Sequence, residues 1–148
     1  MMRRAFTLVE LVIVLAILGI LAGLAVPIFL GQREKLQSEE VIGDIRLIEL
    51  KVNQYIAEYG LPPPSLNDLR GIKRKDPWGN NYRYLKIQGV LTPVGVRKDR
   101  NLHPINSDYD LYSMGPDGET AQNLQNPKSY DDLIRANNGR FVGKAVDY

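Results

Sequence analysis

The chain has 148 residues, 44% of them hydrophobic and 24% charged, with a formal net charge of +2 and no cysteine. That length holds one membrane anchor and one small domain. The near balance of charge argues against a strongly basic nucleic-acid surface, and the missing thiols exclude a disulfide framework and a cysteine nucleophile. A bound metal is one way for such a domain to hold its loops.

From Leu11 to Leu30, twenty residues pass without a charge. That is enough for a helix across a hydrocarbon core of about 30 Å at about 1.5 Å per residue. Met1-Met2-Arg3-Arg4-Ala5 precedes the apolar stretch, which starts at Phe6 and contains one acid, Glu10. The run is longer than the apolar part of a secretory signal and leads straight into charged residues, so it reads as a retained anchor. Arg3 and Arg4 put the N-terminus in the cytoplasm and the rest of the chain on the other side. Glu10 follows Phe6 by about 6 Å of helix, near the membrane edge, where the helix dipole favours an acid. Gly19 and Gly23 form a G-x-x-x-G pair that lets helices approach in lipid, although glycine is also simply commoner there. Pro27 removes an amide and predicts a kink or loosening.

Residues 32–59 read as the outward continuation of the helix. Val41, Ile45, Ile48, Val52, Tyr55 and Tyr59 recur at spacings of three and four, one stripe among charges. Gly60 and Pro62-Pro63-Pro64 stop it. Ser65-Leu66-Asn67-Asp68 has the form of a capping box and predicts a short helix to about Arg70. Asp76-Pro77-Trp78-Gly79-Asn80 is turn chemistry throughout. Strands are predicted over 82–88, over 90–96 despite Pro93, and over 109–114, with Gly115-Pro116-Asp117-Gly118 as a turn. Beyond Glu119 the chain reads as loop, a short helical piece at 131–135 and an extended end at 141–142. The elements make an α+β protein: a long N-terminal helix, transmembrane in its first half, with its outer half on a small antiparallel sheet.

At Arg3-Arg4-Ala5, followed by Phe6-Thr7-Leu8-Val9-Glu10 and the apolar helix, the chain resembles the type IV pilins and type II secretion pseudopilins. The resemblance implies the pilin fold, a leader of residues 1–5, an assembly helix of 6–30 and a periplasmic domain of 31–148. In that domain 31–59 is helix and 60–148 is sheet and loops. It implies cleavage between Ala5 and Phe6 by a prepilin peptidase and methylation of the new Phe6 amine. Glycine is usual before the cut, and Ala5 departs from that. Pro27 matches a family proline near which the helix melts in filaments, and both Glu10 and Pro27 are implied to act in assembly.

Two further stretches are similar to the major pseudopilin branch. They are Lys75-Asp76-Pro77-Trp78-Gly79-Asn80-x-Tyr82-x-Tyr84 and Asp110-Leu111-Tyr112-Ser113-Met114-Gly115-Pro116-Asp117-Gly118. That branch binds calcium in a C-terminal loop through acids and carbonyls, as hard cations do. The matching acids are Asp117 and, as a second pair, Asp131 and Asp132. The loop over 119–130 and the ending over 135–148 are longer than the family pattern.

No paired histidine and acid, phosphate loop or cysteine nucleophile appears, so an enzyme is not expected. His103 reads as a surface residue and Trp78 as a packing residue. The function expected is that of a subunit of a homo-oligomeric pseudopilus in the bacterial inner membrane. Its partners would be minor pseudopilins, the prepilin peptidase, an assembly platform and an ATPase, and it would drive export through an outer-membrane secretin. The alternative is a pilin of a surface fibre for adhesion, motility or DNA uptake, with Lys73, Arg74, Lys75, Arg97, Lys98 and Arg100 as a candidate DNA contact. A third possibility is an anchored binding domain that never assembles; Phe6–Glu10 argues against it, because an isolated anchor does not need an acid there, although a capping-like role could be the whole purpose of Glu10.

Overall fold

A computed structural model describes residues 7–148, so Ala5 and Phe6 lie outside the described residues. The chain divides into two compact units, 1–37 and 38–148. Helix α1 (Leu8–Tyr59) begins in the first and ends in the second.

In the first unit, every residue from Leu8 to Leu30 is exposed, including Ile13, Leu18, Leu24 and Phe29. A helix apolar on all sides needs lipid or other helices around it. By length and composition α1 can cross a membrane. It continues through Pro27 without a break, because one missing amide removes one bond of the ladder and leaves its neighbours.

The second unit holds a four-stranded antiparallel meander in the order β1 (Arg83–Lys86), β2 (Tyr109–Ser113), β3 (Leu133–Ala136), β4 (Phe141–Lys144). Arg83 faces Tyr112, Tyr112 faces Ile134, and Ile134 faces Gly143. Side chains alternate between the faces of the sheet. On one face Tyr109, Leu111 and Leu133 join Val41, Ile45, Ile48 and Val52 of α1, with Leu66, Leu69 and Tyr82 closing the core. On the other, Ile134 and Ala136 join Ile105, Leu124 and Ala145 from the loops. The apolar stripe of α1 thus buries as its spacing predicts, except at its end. Tyr55 packs against the core, whereas Tyr59 is 60% exposed. Its ring lies 4.4 Å from that of Tyr55 instead.

Three expected elements differ. Residues 90–96 form no strand: Gly89 and Gly95 take φ of 79° and 88°, Pro93 cannot donate to a ladder, and Leu91 and Val94 face solvent. Residues 131–135 are not helical; the chain makes a 3-10 turn at Pro127–Ser129, capped by Asn126, and then enters β3. The helix expected to reach Arg70 is a single 3-10 turn, Leu66–Asp68, although both hydrogen bonds of its Ser65–Asp68 capping box form.

Candidate functional site

Glu10 lies in the first turn of α1 and is bound there by Thr7. The Thr7 amide and hydroxyl donate to Glu10 Oε2 at 2.9 and 2.8 Å, and the Glu10 amide returns a bond to Thr7 Oγ1 at 3.2 Å. This is a reciprocal capping box. Its sequence signal is Thr-x-x-Glu, which the apolar surroundings mask when the stretch is read only for its power to span a membrane. A Cβ placed on Gly19 or Gly23 meets nothing within 4 Å, so the G-x-x-x-G surface is open for another helix.

The C-terminal acids fall into two environments. Asp117 and Asp131 come together: the Asp117 amide donates to Asp131 Oδ2 at 3.3 Å. Burial raises the Asp131 pKa above the usual carboxyl range, and the neighbouring Asp117 charge adds to this while the Asp117 amide opposes it. Asp117 Oδ1 in turn accepts the Glu119 amide at 2.7 Å. Asp132 is separate from this pair. It is fully buried, and its Oδ2 accepts from Arg97 and from Thr120 at 2.5 and 2.7 Å.

Two arginines are structural. Arg97 bonds Asp132 and Thr120 and lies 4.2 Å from the Tyr112 ring centre. Arg135 binds both oxygens of Asp108 at 2.9 and 2.7 Å and Glu49 of α1 at 2.9 Å, and stacks 4.0 Å from the Tyr109 ring centre. Sequence reasoning missed both roles and put Arg97 in a candidate DNA contact, yet it is 2% exposed. Lys73 of the same stripe is paired with Glu40 and Asp44.

Residues 1–26 match the prokaryotic N-terminal methylation motif. The chain is 33% identical to type II secretion system core protein G of Escherichia coli (strain K12), over 79% of this chain and 84% of that protein. It is 34% identical to the Aeromonas hydrophila protein of the same description, over 80% and 87%. The chain belongs to the type II secretion core protein G family. The Vibrio cholerae member is 35% identical over 79% of this chain and 83% of its own. No solved structure matches. Membership makes the chain a membrane-anchored pseudopilin and a structural subunit, which agrees with its fold.

Calcium, expected from the resemblance, takes six to eight oxygen ligands. Asp117 and Asp131 fit as donors, since the fold brings two carboxylates together and their mutual repulsion is what a cation relieves. Asp132 lies apart from this pair: Arg97 and Thr120 hold its Oδ2, and its buried Oδ1 has no hydrogen-bond partner among the described residues. Among the described residues no group of three or more acids, histidines or cysteines gathers as a metal cluster, so carbonyls or water must complete any such shell.

Proposed function

We propose that this pseudopilin is built into a type II secretion pseudopilus from a pool held in the inner membrane, N-terminus inward and sheet domain in the periplasm. The observation that carries this reading is the sequence identity to core G proteins across most of the chain. The uncharged, exposed surface of Leu11–Leu30 supports it, since that surface suits first lipid and then the packed helices of a filament. The leader is cut between Ala5 and Phe6 by a prepilin peptidase and Phe6 is methylated. A platform and ATPase add subunits beneath the rod, minor pseudopilins join it, and its growth moves folded cargo toward a secretin.

In this scheme Glu10 leaves its local partner Thr7 and pairs with the Phe6 amine of a neighbour. That amine is mostly protonated at neutral pH, because a free α-amino group titrates near pH ~8. In the dry interior of a filament an unpaired carboxylate is costly and a paired one tolerable, so the pair selects depth and register. Pro27 provides the point at which the helix extends during assembly. Calcium, held by Asp117 and Asp131, would neutralise the pair of carboxylates and fix the C-terminal loop. The surface-fibre alternative is weakened by the burial of Arg97, which removes one member of its DNA stripe.

Deletion of the gene tests the proposal. Cargo should accumulate in the periplasm while surface fibres are unchanged. Normal export with lost fibres would reverse the assignment.

A further inference from the structure

The Asp76-Pro77-Trp78-Gly79-Asn80 turn has no part in the scheme above, yet it carries a buried acid. Asp76 is 4% exposed. Its Oδ1 accepts the Trp78 and Asn80 amides at 3.1 and 2.9 Å, which shapes the turn. Its Oδ2 accepts the Ser113 hydroxyl at 2.6 Å, across to the end of β2. The same hydroxyl oxygen accepts the Gly115 amide at 3.2 Å. The Asn80 side-chain amide donates to the Gly115 carbonyl at 3.0 Å. Both polar groups of Gly115 are therefore held by side chains that Asp76 orients.

Gly115 is also the floor beneath Asp131. Its φ is 67°, a conformation that favours glycine. A Cβ there would lie 2.5 Å from Asp131 Oδ2 and 2.6 Å from its carbonyl oxygen. Two residues on, the chain delivers Asp117. Asn80 reaches this side of the turn as well, since a Cβ on Gly118 would meet its Oδ1 at 3.3 Å. The turn from Gly115 to Gly118 is thus fixed on one side by Asp76, Ser113 and Asn80, and it presents its acid to Asp131 on the other.

We propose that Asp76, Asn80 and Ser113 are positioning residues for a divalent-cation site formed by Asp117 and Asp131. They touch no ligand. They hold the Gly115 peptide so that two carboxylates stay within one cation's reach. This inference rests on the calcium reading given above. Groups that orient metal ligands from behind cost about 10- to 100-fold in metal affinity when removed, and Asn80 and Ser113 fall in that class.

The test is calorimetric titration of the purified full-length protein in detergent with calcium chloride, after removal of calcium with chelator. Wild type, Asn80→Ala, Asn80→Asp and Ser113→Ala are compared, with circular dichroism confirming that each is folded at the titration temperature. Asn80→Asp keeps the shape of the side chain and removes the donor to Gly115. The expected result is that wild type binds calcium and each folded variant binds it about 10- to 100-fold more weakly. Hydrogen exchange over residues 114–119 of the chelated protein should also be faster in Asn80→Ala than in wild type. A wild type that binds no calcium overturns both the cation reading and the proposal. A wild type that binds, with folded Asn80→Ala and Asn80→Asp within threefold of it, overturns the positioning proposal alone. If Ser113→Ala does not fold, the two Asn80 variants decide.

Discussion

Replacing Thr7 separates the two roles open to Glu10. Thr7 supplies the amide and hydroxyl bonds to Glu10 Oε2, at 2.9 and 2.8 Å, and receives the Glu10 amide in return. Loss of a helix cap of this kind shifts an equilibrium that depends on it by roughly fivefold, so that is the expected effect of Thr7→Ala. Pairing with a neighbour's amine inside a filament is a larger effect. Removing one member of a buried ion pair changes the docking equilibrium by about a hundred- to a few-thousand-fold. Glu10→Gln retains the length of the side chain and an acceptor for Thr7, and deletes the charge. Glu10→Gln should therefore stop assembly while Thr7→Ala leaves most of it. The assay is the ratio of subunit in sheared pseudopili to subunit in the membrane fraction, with mass spectrometry confirming that each variant starts at Phe6. If the two variants lose assembly to the same degree, capping is the whole role of Glu10. If Glu10→Gln assembles like wild type, the charge pair does not exist.

Arg135→Met should unfold the sheet domain early. It strips Asp108 of its cation and leaves Glu49 with Arg46 alone, a loss of about 3 kcal/mol, or more than about 10 °C in a thermal melt of a domain this size; a shift below about 3 °C would show that water replaces the guanidinium. Asp110 is buried, which raises its pKa despite bonds from the Arg97 amide and Asn106. A carboxyl whose folded pKa exceeds its unfolded value loses stabilising effect as pH rises through the folded value. The stability deficit of Asp110→Asn should therefore be largest below about pH 4, the ordinary aspartate value, and shrink as pH rises from there through the raised folded value; a deficit that grows with pH over that window contradicts this. Calcium should raise the melting point of wild type, by about 2.7 kcal/mol of stability at a hundred times the dissociation constant, and Asp117→Ala should abolish the rise. Pro27→Ala should leave the membrane-inserted subunit stable and alter the amount of filament or its rise per subunit, measured by electron microscopy; wild-type filaments in the variant would remove Pro27 from assembly.

The parts of this fold legible in the sequence are those fixed by near neighbours along the chain. Val41, Ile45, Ile48 and Val52 announce a buried helix face by period alone, and all four are fully buried. Ser65 and Asp68 announce a cap because both partners lie within one turn. The misread element at 131–135 had the opposite problem. Leu133 enters the core beneath α1 and Ile134 the core beneath the loops, so adjacent residues are both apolar. A strand covered on both faces loses the alternation that identifies one. Residues 90–96 mislead the other way: their apolar residues have strand propensity, but Leu91 and Val94 find no partner surface within the domain.

The candidate site was legible as chemistry but not as geometry. Asp117 in its turn and the acids at 131 and 132 were visible, yet adjacent aspartates proved unlike. Asp131 joins Asp117, and Asp132 pairs through one oxygen with Arg97, a residue 35 positions earlier. Arg135 meets Glu49 across 86 positions and Ser113 meets Asp76 across 37. A hydrogen bond between such distant residues leaves no period in the sequence, because only the folded sheet sets their distance. Charged residues are seldom buried unless paired, so a reading without partners puts Arg97 on the surface. The same limit hid the role of Asp76. Its bonds to Trp78 and Asn80 follow from turn chemistry, whereas its bond to Ser113 exists only because β2 ends beside that turn. The Ser113 hydroxyl oxygen in turn accepts the Gly115 amide, and this ties the Asp76 turn to the turn that carries Asp117.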